Sequence, residues 1–445
     1  MQRATGRHLG WLGMVRLGLV QMALGSIVVL TTSTLNRVMV VELALPAMLP
    51  GALVGLHYGV QMMRPRWGHG ADQGGRRTPW ILGGMALLAL GGVAAAWATV
   101  LMASAPGLGL MAAVVAFVVI GIGVGAAGTN LLALMAVRVA PARRAAAATI
   151  AWLMMIGGIA VTAGVAGGLL DPFSHQRLIA VACGVAALAF TLAVLGVAGV
   201  ERGALPGSDA SPRRTRVRFR AALSEVWAEP QARVFTLFVF ASMLAYSAQD
   251  LILEPFAGHV FGMTPGQSTQ LAGVQHGGVF LGMAVVGVLG TAWGRGRPAV
   301  LRGWTIWGCI GSALALIALA WGGQMGPGWP LGLNVFVLGA FNGAFAVAAI
   351  GSMMGLASDG AGGREGTRVG LWGAAQAVAF GLGGFLGTVA VDAARALMAD
   401  PAAAYSIVFA GEGVLFLVSA ILAARVGRDL RDAPLYGAAA GIAGE

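Results

Sequence analysis

Residues 68–77 read GHGADQGGRR and form a short polar link between two apolar stretches of the chain. The stretch before the link covers residues 46–63, and the stretch after it covers residues 80–102. Each is close to the length of about 20 apolar residues that a helix needs to cross a bilayer. Glycines suit a tight turn because they adopt backbone conformations that side chains exclude. We therefore predict that this link joins two membrane-spanning helices that run in opposite directions.

Apolar runs of this length recur along the whole chain of 445 residues. Hydrophobic residues make up 58% of the chain and charged residues 10%, with a mean hydropathy of +0.82, whereas a soluble domain carries about 25% charged residues. The 71 glycines are spread through the apolar runs, which favours helices packed closely in lipid. We predict an all-α membrane protein with twelve transmembrane helices in two six-helix bundles. The predicted spans lie near residues 14–36, 46–63, 80–102, 110–137, 149–170, 178–200, 234–253, 269–292, 303–322, 331–357, 369–391 and 404–424.

A polar segment rich in arginine separates the first six runs from the last six. We predict an N-terminal bundle at residues 1–202, a cytoplasmic linker at residues 203–233, and a C-terminal bundle with a short cytoplasmic tail at residues 234–445. The first apolar run is too long for a cleavable signal peptide and lacks a small-residue cleavage pattern, so we expect it to be a span.

The 28 basic residues are all arginines and give a formal net charge of +11. They fall in the short connections between the apolar runs, and 24 of the 28 lie on one side when the runs cross the membrane alternately. The opposite side holds only Arg37, Arg177 and Arg395. The positive-inside rule therefore predicts that both termini are cytoplasmic in a bacterial membrane. The basic charge indicates contact with anionic lipid, and we expect no nucleic-acid partner.

The sequence carries no pattern typical of an enzyme or of a metal protein. Cys183 and Cys309 lie far apart within predicted spans, so a disulfide framework or a paired-cysteine metal site is not expected. A phosphate-binding loop, a nucleophile elbow and a zinc-protease motif are all missing from the sequence. We therefore expect no catalytic activity and no protein-bound metal ion.

The link between the second and third runs carries an ordered set of residues: Gly68, Asp72, Gly75, Arg76 and Arg77. Their spacing resembles the signature of the major facilitator superfamily of transporters. The resemblance implies two pseudo-symmetric halves and a conformational-switch loop, whose polar contacts bias alternating access. An Asp in such a loop can pair with an arginine or cap a helix N-terminus. The corresponding link in the second half, residues 293–298, keeps glycine and arginine but lacks the Asp.

Three further segments, residues 35–47, 245–258 and 371–384, resemble the bacteriochlorophyll-delivery branch of this superfamily, which includes the PucC and LhaA proteins of purple phototrophic bacteria. The resemblance implies assembly of a light-harvesting antenna complex, with bacteriochlorophyll as the ligand that is bound or carried. It also implies the antenna α and β polypeptides and pigment-synthesis enzymes as partners, in addition to the membrane lipid that the apolar runs and arginines indicate. The implied location is the cytoplasmic or intracytoplasmic photosynthetic membrane.

These segments supply a candidate gate, or a candidate site for a pigment or partner. Charged residues inside a membrane are costly and usually functional. We expect the polar groups at the outer ends of helices 1 and 7 to meet, with Arg37 paired to Asp250 or Glu254. The alternative is that headgroups solvate these residues. The full candidate set is Asn36, Arg37, Glu42, Gln249, Asp250, Glu254 and Gln376.

Two histidines lie within predicted spans at related positions of the two halves. A neutral imidazole is a good ligand for the magnesium of a bacteriochlorophyll, which makes His57 and His276 candidates. The alternative is a hydrogen bond between neighbouring helices.

A different function also remains open, namely proton-coupled transport of a small solute. Its proton relay would use Glu42, Asp250, Glu254 or Glu412.

Overall fold

A computed structural model describes residues 9–64, 67, 76–140, 143–201, 227–292, 298–359 and 365–426. This part of the chain folds into twelve helices joined by short connections. The first helix, α1 at Trp11–Val29, continues as π-helix over Leu30–Leu35 and Val38–Glu42. The others are α2 Met48–Gln61, α3 Thr78–Met102, α4 Pro106–Arg138, α5 Arg144–Leu170, α6 His175–Val197, α7 Pro230–Phe261, α8 Pro265–Ala292, α9 Pro298–Met325, α10 Leu331–Asp359, α11 Glu365–Leu397 and α12 Pro401–Arg425.

The predicted class, an all-helical membrane protein with twelve helices, is confirmed. Within the described residues, eleven helices are long and apolar enough to cross a membrane. The exception is α2, whose described helix is only 14 residues long. Several helices extend beyond the predicted runs; α4 has 33 residues. The runs mark only the part of each helix that hydropathy detects, while the helical hydrogen bonding continues past it.

The buried apolar side chains form two main clusters. The first joins residues of α1 to α6 with Leu251 of α7, and the second joins residues of α7 to α12. Glycines let the helices approach closely: a Cβ atom on Gly84 would lie 2.6 Å from the backbone nitrogen of Ala127. The division at residues 202 and 233 stays a prediction, because most of the predicted linker lies outside the described residues.

The two halves meet along two helix pairs, α2 with α11 and α5 with α8. Counting six helices per half, α2 corresponds to α8 and α5 corresponds to α11, so the two pairs are pseudo-symmetric. We call the ends at which α1 leads to α2, α3 to α4, α5 to α6, α7 to α8, α9 to α10 and α11 to α12 the arginine-poor face. The opposite ends form the arginine-rich face. A third contact between the halves lies near the arginine-poor face, where the π-helical end of α1 packs against α7 and α8.

Candidate functional site

The end of α1 near the arginine-poor face is wound as a π-helix and carries several polar residues. Insertions of π-helix are rare and are frequently found at functional sites. Ser33, Thr34, Asn36 and Arg37 are all buried here against the second half of the chain. The π-helical segment therefore holds polar groups in the contact between the halves.

Arg37 forms its ion pair with Glu42 of the same segment, at 3.0 Å between Nη1 and Oε1. The expected ion pair with Asp250 or Glu254 is therefore wrong, although the charges of Arg37 and Glu254 interact at longer range. In an α-helix, residues five apart point about 140° away from each other, whereas the wider π-helical turn brings them nearer to one face. The second terminal nitrogen of the guanidinium, Nη2, donates to the carbonyl oxygen of Met263 at 2.7 Å. A Cβ atom on Gly258 would collide with this guanidinium.

Asn36 connects α1 to the backbone of α7. Its Nδ2 atom donates to the carbonyl oxygen of Leu251 at 2.7 Å. In an unbroken helix that oxygen accepts from the N–H four residues later, but residue 255 is a proline and has no N–H. The amide of Asn36 thus satisfies a helical carbonyl that Pro255 leaves without its partner.

Glu254 is the acid at the centre of this contact, and 2% of its surface is exposed. Its Oε1 atom accepts from the hydroxyl of Ser33, and its Oε2 atom lies 3.4 Å from the hydroxyl of Ser268. Next to them, the hydroxyls of Thr34 and Thr269 are 3.1 Å apart. We call this set the α1–α7 seam: Ser33, Thr34, Asn36, Arg37, Glu42, Leu251, Glu254, Gly258, Met263, Ser268 and Thr269.

Asp250 belongs to a second polar group in the interior of the bundle. Its Oδ1 atom lies 3.4 Å from the side-chain nitrogen of Gln275, and it interacts electrostatically with Tyr58, Tyr246 and Glu412. Glu412 is 3% exposed, and neither of its carboxyl oxygens has a hydrogen-bond partner within the described residues. We call these five residues the central acid cluster.

The two candidate glutamines lie elsewhere. Gln249 is fully buried, and its amide atoms find no hydrogen-bond partner in the described part of the chain. Gln376 of α11 is half-buried, with its amide nitrogen 4.0 Å from the sulfur of Met243. The candidate set therefore divides: Asn36, Arg37, Glu42 and Glu254 meet, whereas Asp250 and the glutamines do not join them. Their functional role stays a prediction.

The two candidate histidines are both buried. His57 places Nδ1 3.1 Å from the carbonyl oxygen of Val54 and Nε2 2.8 Å from the amide nitrogen of Gln61. His276 places Nδ1 2.9 Å from the carbonyl oxygen of Ala272. Ligation of pigment magnesium by either residue stays a prediction.

The predicted switch loop is described only at its end, since Gly68, Asp72 and Gly75 lie outside the described residues. Glu201, which follows α6, accepts from the backbone N–H groups of Arg77 and Thr78 at 2.8 and 2.9 Å. Burial raises the pKa of Glu201, but these hydrogen bonds and the charge of Arg76 outweigh it and leave the pKa below its ordinary value. Glu201 thereby caps the start of α3, and the sequence analysis missed this role.

Two further acids missed in the sequence join the halves at the arginine-poor face. Asp392 of α11 accepts from the backbone N–H groups of Ala47 and Met48, at 2.9 and 2.7 Å, where α2 begins. Asp171, directly after α5, accepts from the hydroxyl of Thr264 at 2.9 Å, just before α8 begins. A carboxylate is favourable at a helix N-terminus because of the helix dipole. One signal was available, since each acid directly follows the fifth predicted run of its half.

Comparison with solved structures defines the class of protein. The chain aligns with the peptide transporter POT at a TM-score of 0.69 and 16% identity, covering 96% of this chain and 98% of that one. A bacterial homologue of the human lysosomal transporter Spinster gives a TM-score of 0.69 at 16% identity, covering 95% and 97%. The fold is therefore that of the major facilitator transporters, as predicted.

Sequence comparison then gives the family. Residues 34–430 match the family described as PUCC protein, and the chain belongs to that family. It is 54% identical to the "Bacteriochlorophyll synthase 44.5 kDa chain" of Rhodobacter capsulatus, over 94% of this chain and 96% of that protein. It is 30% identical to "Protein PucC" of Rhodovulum sulfidophilum, over 86% of this chain and 85% of that protein. The predicted kinship is confirmed.

Proposed function

We propose that the protein is an assembly factor for a bacterial light-harvesting antenna complex, which handles or delivers bacteriochlorophyll, antenna polypeptides or both within the membrane. Membership of the PUCC protein family along residues 34–430 carries this proposal. The bacteriochlorophyll in the name of the relative that is 54% identical supports the link to pigment.

The surface of the helical bundle supports contact with apolar partners. The residues Trp97, Trp307 and Trp321 are 58%, 68% and 69% exposed on helix surfaces. Large aromatic side chains dominate contact energetics because they bury much area. Such a surface suits antenna α and β polypeptides and membrane lipid as partners, with pigment-synthesis enzymes as a further partner.

The buried polar residues bear on how a bacteriochlorophyll would be held. A histidine nitrogen would ligate the pigment magnesium, and His276 fits this role better than His57. Both ring nitrogens of His57 are engaged within its own helix. For His276, only the contact of Nδ1 with Ala272 is made among the described residues. The carboxyl of Asp250, in its protonated form, would donate a hydrogen bond to a carbonyl oxygen at the edge of the ring.

We propose that the protein resides in the cytoplasmic or intracytoplasmic membrane with both termini in the cytoplasm. The arginine distribution supports this orientation, because basic residues are retained on the cytoplasmic side. The arginine-rich face, including Arg76, Arg77 and Arg138, would then contact anionic lipid.

Proton-coupled transport of a small solute is the second candidate, and the transporter fold favours it. The geometry leaves fewer candidate acids for the proton relay. Glu42 forms an ion pair with Arg37, and Glu254 accepts hydrogen bonds from serine hydroxyls. Asp250 and Glu412 remain: within the described residues, Glu412 has no hydrogen-bond partner, and Asp250 lies 3.4 Å from the neutral amide of Gln275.

A gene deletion tests the proposal and also tests the word synthase in the relative's name. For an assembly factor, we expect the deletion strain to make bacteriochlorophyll but to lack an antenna absorption band, and the wild-type gene to restore it. A strain that lost the pigment itself would point to a synthetic role. A strain with normal antenna would contradict the proposal.

The purified protein separates the two candidates. In mild detergent, an assembly factor should carry near-infrared pigment bands or antenna subunits. A colourless protein that acidifies vesicles when a solute is added would instead establish the carrier.

A further inference from the structure

A groove between α2 and α11 opens toward the lipid at the contact between the two halves. Its volume is about 380 Å³, which lies within the size range of small-molecule sites. Small residues and larger apolar side chains line it, together with the aromatic rings of Tyr58 and Phe385. Its lining residues include Gly55, Tyr58, Gly59 and Gly381.

The glycines of this groove are not all required by helix packing. A Cβ atom on Gly55 would lie 3.3 Å from the carbonyl oxygen of Gly381, so this pair keeps the helices close. A Cβ atom on Gly59 would meet no atom within 4 Å. A glycine inside a helix costs about 1 kcal/mol relative to alanine. Because no side chain of the described residues fills the space at Gly59, the groove is open there to a molecule from the bilayer.

Aromatic rings lead from the groove into the bundle. The ring of Tyr58 lies 5.7 Å from that of Phe380, which lies 5.9 Å from that of Tyr246. Asp250 follows Tyr246 by four residues on α7 and therefore lies on the same helix face. Tyr58 thus belongs both to the lining of the groove and to the central acid cluster, so the apolar groove lies next to polar groups in the interior.

We propose that this groove is a lateral binding site for the planar conjugated ring of a membrane-dissolved pigment, with the polar edge of the ring toward Tyr58 and Asp250. The proposal rests on the proposed function, because it assigns a site to the pigment named there. A slot between two helices with glycines on both walls suits a flat ring. Aromatic side chains stack favourably on conjugated rings. The rest of the pigment, including its hydrocarbon tail, remains in the lipid.

The test uses the full-length protein in nanodiscs, with bacteriochlorophyll a as the probe and the pigment absorption spectrum as the readout. Gly59→Trp fills the groove, and the empty space around Gly59 lets the variant fold. Gly83→Trp is the matched control, because Gly83 of α3 is also exposed and also has no atom within 4 Å of a Cβ position. Gly59→Ala adds one methyl group and shows whether the loss of pigment binding increases with the size of the side chain.

We expect Gly59→Trp to weaken pigment binding by about tenfold or more, Gly59→Ala to weaken it less, and Gly83→Trp to bind like wild type. Equal pigment binding by wild type and Gly59→Trp would contradict the proposal that the groove binds the pigment. So would displacement of the pigment by added phospholipid, since it would identify an ordinary lipid site.

The outcomes also separate the groove from the proposed function. If wild type and Gly59→Trp bind pigment equally, the groove is not the pigment site, and the proposed assembly function is not contradicted. If wild type binds no pigment and the deletion strain assembles normal antenna, the proposed function fails as well. Gel filtration and thermal unfolding of each variant establish that the fold is retained.

Discussion

The side-chain amide of Asn36 donates to the carbonyl oxygen of Leu251 at 2.7 Å, across the contact between the two halves. Because Pro255 has no N–H, that oxygen lacks its helical partner. A break in one helix is therefore satisfied by a side chain from a helix of the other half. The contact is specific, since it requires both the amide at residue 36 and the proline at residue 255.

We expect Asn36→Leu to destabilise the protein by about 1–3 kcal/mol, the cost of leaving a buried polar group without a partner. The measurement is thermal unfolding in detergent. Pro255→Ala restores an N–H in the helix, so we expect Asn36→Leu to cost clearly less in that background. If the two effects simply add, the carbonyl of Leu251 is not what links Asn36 to Pro255.

Gly258 makes room for the guanidinium of Arg37 on α7, and a Cβ atom there would collide with it. We expect Gly258→Ala to displace Arg37 and to lower stability by about 1–3 kcal/mol, as is typical of overpacking. Gly184→Ala in α6 is the control, because a Cβ atom at that glycine meets nothing within 4 Å. A Gly258→Ala variant as stable as the control would show that Arg37 does not need this space.

The sequence predicted the helices and the contact between α1 and α7. It did not predict which groups the polar side chains in this contact bind. A helix that crosses a membrane must be apolar over most of its length, and arginines concentrate at the cytoplasmic ends. These two patterns are visible in the sequence, so the twelve helices could be predicted. The partner of Arg37 depends on the π-helical winding near residue 42, and the sequence analysis found no signal for that winding. The partner of Asn36 was accessible in principle, because a proline inside a helix always leaves one carbonyl free.

The two acids that join the halves, Asp171 and Asp392, were missed for a different physical reason. Asp392 and Asp171 act on the ends of helices that are distant in sequence. Their partners are mainly backbone groups or a common hydroxyl, which give no distinctive residue pattern. Only the position of each acid directly after the fifth run of its half marks them.

Glu201 should make stability depend on pH. The pKa of its carboxyl is lowered in the folded protein, because its hydrogen bonds to the start of α3 and the charge of Arg76 outweigh burial. Its contribution is therefore complete above the unfolded-state pKa, about 4.3, and is lost as the pH falls through the lower folded-state value. We expect Glu201→Ala to cost about 1 kcal/mol at neutral pH, the usual cost of a lost cap.

Thermal unfolding of wild type and Glu201→Ala between pH 7 and pH 3 measures this effect. The difference between them should shrink toward the acid end. A difference that stays constant over this range would mean that the carboxylate charge does not stabilise the start of α3.

The contacts of Asp392 and Asp171 should hold the arginine-poor face closed. Each acid lies in one half and accepts from the start of a helix in the other half. Loss of the cap that Asp392 provides costs about 0.5–2 kcal/mol, and loss of the hydrogen bond between Asp171 and Thr264 costs about 0.5–1.5 kcal/mol. With mid-range values, removing both acids would shift a two-state equilibrium toward separation by more than about tenfold. We therefore expect Asp392→Ala combined with Asp171→Ala to populate a state in which the halves are further apart at this face.

Spin labels at Ser104 and Leu397, which are exposed at this face in the first and second halves, report the separation by pulsed electron resonance. We expect the distance distribution of the double variant to broaden toward longer values. Asp400→Ala is the matched control: Asp400 also caps a helix at this face, but it accepts from Ala402 and Ala403 of its own half. A control distribution that broadened equally would assign the effect to general destabilisation, and an unchanged double variant would mean that the two acids do not hold the face closed.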